Sequence, residues 1–138
     1  MIIRFSVLDS ITTRFGFHDA TTSTAPVDGV YFEIGPDSVL WGKTMSSSSG
    51  STTGTSYLCA LNTWYRLKIV VNSTATQVDY YLINESGTVL WTDFLTTNIP
   101  TGATGHGVIC TKEHTGSGAG INLLHIDYMD LYLGPLIR

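Results

Sequence analysis

The chain has 138 residues, of which 43% are hydrophobic and only 13% charged, and its net charge is −4. That length makes one ordinary domain, residues 1–138, large enough to bury a core without metal or disulfide staples. The seven Lys and Arg form no basic run, which argues against nucleic-acid binding, and no apolar stretch approaches the ~20 residues of a membrane-spanning helix.

The apolar start MIIRFSVLDS has no basic region before it and no small-residue cleavage site, so it reads as a strand and not as a secretory signal. Nowhere does an i, i+3, i+4, i+7 apolar spacing persist long enough for a helix. Short strand patterns recur instead between turn clusters: Ile2–Leu8, Thr12–His18, Gly29–Ile34, Val39–Lys43, Ser56–Leu61, Trp64–Asn72, Gln77–Asn84, Thr88–Phe94, Gly107–Lys112 and Asn122–Leu133. This is the pattern of an all-β sandwich or barrel.

Between these strands, Thr21–Asp28, the Ser/Thr/Gly run Thr44–Thr55, Asn98–Gly105 and His114–Gly120 read as loops. Alternation is clearest in the middle, where Tyr65, Leu67, Ile69 and Val71 share one face and Val78, Tyr80 and Leu82 share another. The tight connection Asn72-Ser73-Thr74-Ala75 makes these two strands a hairpin. A second hairpin turns through Asn84-Glu85-Ser86-Gly87, with glycine where positive φ is needed. The final strand is apolar on both faces, so it is expected to be central or to meet another subunit.

Catalytic signatures are missing: there is no G-x-S-x-G, H-E-x-x-H, C-x-x-C or phosphate loop. The stretch Gly116-Ser117-Gly118-Ala119-Gly120 leads into a strand and lacks the helix N-terminus a phosphate would need. Of the four histidines, His125 reads as a hydrogen-bonded core residue, and nothing makes His18, His106 and His114 converge on a metal. Asp127 and Asp130 point to opposite faces of one strand and cannot flank a glycosidic bond, while Glu33 and Asp79 are lone acids. The chain is therefore read as a non-enzyme with no cofactor. Calcium is left open through the loop acids Asp19, Asp28 and Asp37. Cys59 and Cys110 read as buried thiols, with a disulfide between neighbouring strands as the alternative.

The aromatics remain, and most are expected in the core. Trp64-Tyr65 must split, one ring inward and one outward. Trp41, Trp64, Tyr81 and Trp91 are the candidate contact residues, toward a second subunit or a glycan.

Four stretches carry a family resemblance: RFGFHDATTSTAPVDGVYFEI (Arg14–Ile34), NTWYRLKIVVN (Asn62–Asn72), TTNIPTG (Thr96–Gly102) and LLHIDYMDLY (Leu123–Tyr132). In this order, over nearly the whole chain, they resemble the concanavalin-like (laminin-G-like) jelly-roll domain of tail-fibre, head-fibre and related virion proteins of tailed phages. The resemblance implies an antiparallel jelly-roll β-sandwich in a virion. Its partners would be copies of itself and other virion proteins, with host-surface glycans as the alternative and neither nucleic acid nor membrane as partner. Domains of this type usually carry further strands before the one equivalent to Ile2–Leu8. A truncated N-terminal edge, covered by a neighbouring subunit, is therefore expected.

Overall fold

A computed structural model describes residues 1–5, 11–22, 24–101, 107–114 and 124–128. Among them every regular element is a strand: β1 (Ile2–Phe5), β2 (Ile11–His18), β3 (Gly29–Ile34), β4 (Val39–Ser46), β5 (Ser49–Thr52), β6 (Tyr57–Leu58), β7 (Trp64–Val71), β8 (Val78–Ile83), β9 (Val89–Leu95), β10 (Gly107–His114) and β11 (Leu124–Tyr128). They form two antiparallel sheets. One has the order β11-β1-β7-β8-β9, the other β10-β2-β3-β4-β5, with β6 also paired to β4. The fold is the all-β sandwich that the strand spacing implies.

Period-two side chains seal the space between the sheets. Ile3, Phe5, Tyr65, Leu67, Val78, Tyr80, Leu82 and Trp91 come from the five-stranded sheet, and Phe15, Phe32, Ile34 and Leu40 from the other. The Tyr80 ring meets Phe32 edge-on at 5.2 Å, and its hydroxyl donates to the Lys43 carbonyl at 2.6 Å. Opposite Phe32 on β4 stands Gly42, where a Cβ would come within 2.7 Å of the Tyr80 ring. Trp64 and Tyr65 split as expected, with Tyr65 buried and Trp64 outward and half-buried.

Both expected hairpins form. Asn72 closes the β7–β8 turn, its Oδ1 accepting from the Thr76 and Gln77 amides. Asn84 closes the β8–β9 turn, accepting from the Thr88 amide, with Gly87 at φ 87°.

Three expectations are corrected. Thr44–Thr55 is not an open loop: it carries the end of β4, the whole of β5, and a turn with Ser47 and Ser48 at φ 51° and 66°. Hydroxyls order it from outside. Thr44 Oγ1 donates to the Thr97 carbonyl, while Ser51 Oγ bonds Thr97 Oγ1 and accepts from Asn98 Nδ2. Conversely, the strand expected at Ser56–Leu61 contracts to Tyr57–Leu58. The first strand is not an edge, because β1 lies between β11 and β7, with Ile3 opposite both Ile126 and Tyr65. Positions 6–8 of the expected first strand and most of the expected last strand lie outside the described residues. Within them β11 stands at the end of its sheet with Ile126 exposed, so two-sided burial is not seen there.

A polar clasp ties the sheets together beside β9. Asp93 Oδ2 accepts from the Thr55 amide at 2.9 Å and the Thr55 hydroxyl at 2.7 Å, and Asp93 Oδ1 accepts from the Phe94 amide. Trp91 Nε1 donates to Thr55 Oγ1. Desolvation works against the Asp93 charge, but these hydrogen bonds outweigh it and hold the carboxyl below its ordinary value of 3.8. A carboxyl depressed in the folded state stabilises the fold above its unfolded pKa, and that contribution is lost as pH falls through the folded value. In urea titrations, Asp93→Asn is therefore expected to be less stable than the native protein at neutral pH. The gap should narrow on acidification to below the folded pKa of Asp93, and an unchanged gap would contradict the clasp.

Candidate functional site

The two solvent faces differ. On the six-stranded sheet, the outward residues Arg14, His18 and Tyr31 are only 6%, 0% and 2% exposed. Arg14 Nε donates to Glu33 at 2.9 Å, and Lys43 lies 3.4 Å from the same carboxylate. His18 meets the Tyr31 ring edge-on at 5.6 Å. Burial, then the nearby Glu33 charge, pushes the Tyr31 phenol up to about 12. Glu33 is thus a structural acid, and this face presents little open surface at its centre.

The five-stranded sheet is different. The outward residues of β7 are Trp64, Arg66, Lys68 and Val70. Arg4 stands opposite Trp64 on β1, its guanidinium 5.1 Å from the indole centroid. Lys68 stands opposite Tyr81 on β8, its ammonium 5.3 Å from the phenol ring. Each such cation–ring pair contributes about 0.5–1 kcal/mol at an exposed site and holds the ring in place. Farther across, β9 leaves Val89 50%, Leu90 36% and Phe94 56% exposed, and Val71 at the end of β7 is 41% exposed.

The four candidate contact residues therefore separate. Trp64 and Tyr81 share the outer face of the five-stranded sheet. Trp41 lies half-buried on the outer face of the other sheet, opposite Glu33. Trp91 turns inward against Phe32 and belongs to the core. The ring that β9 presents to solvent is Phe94, which the sequence did not single out. Period-two alternation puts Trp91 and Phe94 on opposite faces without saying which is inside.

Two shallow clefts meet at Trp64. One, of about 460 Å³, is lined by Asn62, Thr63, Asn84, Glu85 and Ser86. The other, of about 390 Å³, is lined by Ile2, Tyr65, Arg66, Asn84, Glu85 and Asp127. Asn62 adopts φ 57° and anchors this corner through its amide to the Phe5 carbonyl.

Among the described residues, Asp19, Asp28 and Asp37 serve the loops. Asp19 Oδ1 accepts from the Val27 and Asp28 amides, Asp28 Oδ1 from Ser47, and Asp37 Oδ1 from Val39. Asp79 accepts from the Gln77 side-chain amide. Among the described residues no three His, Cys, Asp or Glu side chains group as a metal site. Cys59 is a free, buried thiol that burial pushes up to about 12, so it stays protonated and packs as a small apolar group. The side chains of Cys110, His106, His114, His125 and Asp130 lie outside the described residues.

Comparison with known proteins gives one match. The model of the family described as SO2946-like, C-terminal domain, matches residues 5–127. No curated protein and no solved structure matches the chain.

Proposed function

The chain belongs to the SO2946-like C-terminal domain family, and we propose, from its exposed surface and its sequence resemblance, that it is a structural module of a phage-type virion, a capsid-decoration or fibre unit acting by subunit association rather than catalysis. The observation that carries this reading is the uncovered apolar strip of Val89, Leu90 and Phe94 along β9. Among the described residues β9 pairs only with β8, and it carries no Lys, Arg or Pro. The bulge where β9 meets Leu82 and Ile83, together with the acid Asp93, limits strand-to-strand pairing at this edge, so the contact is offered by the exposed apolar side chains of the strand. The low charged fraction of the sequence and its resemblance to virion jelly-rolls point the same way. Other copies of the chain and neighbouring virion proteins are its partners.

Sedimentation velocity tests this. The native protein is expected to sediment as a species larger than a monomer, in a concentration-dependent way. Phe94→Arg should shift it to the monomer with an unchanged circular-dichroism spectrum. A native protein that stays monomeric across the micromolar to millimolar range would overturn the reading. A second reading, contact with host-surface glycans, is favoured by the clefts beside Trp64.

A further inference from the structure

We propose that the two clefts meeting at Trp64 form one binding site for a short, uncharged hexose-based oligosaccharide. This deepens the glycan reading and rests on it, and it is independent of subunit association through β9.

The topology sets the site. β7 lies between β1 and β8, so Arg4 and the β8–β9 turn flank Trp64 from opposite sides. Arg4 steadies the indole at 5.1 Å, and both clefts run toward Asn84 and Glu85 on the other side. The indole offers an apolar platform, and a sugar ring presents C–H bonds on its faces and hydroxyls around its edge. Side chains that match those hydroxyls surround the platform: the Asn62 and Asn84 amides, the Glu85 and Asp127 carboxylates and the Arg66 guanidinium. The lining is mainly polar around one aromatic platform, a composition that suits a polyol better than an apolar ligand, and each cleft falls in the size range of small-ligand sites.

Charge selects the ligand class. In the clefts one guanidinium faces two carboxylates, and the Arg4 guanidinium beside the indole balances the second, so neither a polyanion nor a polycation is favoured. A neutral polyol uses all three groups, because charged partners strengthen hydrogen bonds to hydroxyls. The wall is also preorganised. Asn84 Oδ1 is held by the Thr88 amide and the Ser86 hydroxyl, and among the described residues nothing accepts from its two N–H donors, which can serve a ligand oxygen. The Gly87 amide closes the turn on the Asn84 carbonyl at 3.0 Å.

The test is a broad array of microbial glycans probed with the full chain and three variants. Native protein and Leu58→Ser, an exposed position on the other sheet away from both the clefts and β9, are expected to bind the same set of neutral hexose-containing glycans. Trp64→Ala should abolish that binding, and Glu85→Gln should weaken it roughly tenfold by removing a charged acceptor. Glycan binding that survives Trp64→Ala would overturn this site while leaving the glycan reading intact. No glycan bound above background would overturn both, and selective binding of sulfated or uronic-acid glycans would overturn the assignment of ligand class.

Discussion

Tyr80→Ala is expected to lower folding stability by about 3–5 kcal/mol, the range for deleting a large buried ring. Domains of this kind are stable by only about 5–15 kcal/mol in total, so the variant should lose a large part of its unfolding midpoint in urea. The expectation rests on position. Tyr80 is fully buried at the centre of β8, between Val78 and Leu82 along the inner face of the strand, opposite Ile69 on β7 and against Phe32 across the core. Gly42 lies directly beneath it on the other sheet. Nothing nearby can collapse into the space, because the facing position already has no side chain. Tyr80→Phe separates ring from hydroxyl. It keeps the packing, removes the bond to the Lys43 carbonyl, and should lose about 1 kcal/mol. A Tyr80→Ala protein within 1 kcal/mol of native would contradict the packing described.

Gly16→Ala should be nearly as damaging, for the opposite reason. Gly16 sits in the middle of β2 at φ 147°, where L side chains are strained. A Cβ there would lie 2.6 Å from the Val30 carbonyl oxygen and 2.7 Å from the Tyr31 Cα, both backbone atoms of the adjacent strand. Backbone in a paired ladder has nowhere to shift, so conformational strain and overpacking add to about 3 kcal/mol. Equilibrium unfolding measures it, with Gly54→Ala as control, since a Cβ at that position meets nothing within 4 Å. Equal losses in the two variants would show that the close approach of β2 and β3 is wrong.

Much of this architecture can be read from residue order because most pairings are local. β3 runs over Gly29–Ile34, the span its sequence pattern implies. The β7–β8 and β8–β9 hairpins follow from alternation plus Asn and Gly at the turns. What stayed hidden depends on partners distant in sequence. The Ser/Thr run after Thr44 has no apolar period, and its hairpin is held by Thr97 and Asn98, some fifty residues on. The first strand announces its type but not its place, since both its neighbours, β7 and β11, come much later. The candidate site was half visible. Trp64 was identifiable as a ring at a strand start, and its outward turn follows from Tyr65 going inward. The cleft around it was not, because Asn62, Asn84, Glu85 and Asp127 meet only when β7, the β8–β9 turn and β11 come together.

Hydrogen exchange followed by mass spectrometry, at concentrations spanning self-association, tests most directly the claim that the five-stranded sheet is the working surface. Amides of residues 88–95 are expected to gain protection as concentration rises, while those of the polar β4–β5 hairpin do not change. Protection that rises only in Ser46–Thr52, or nowhere, would contradict it.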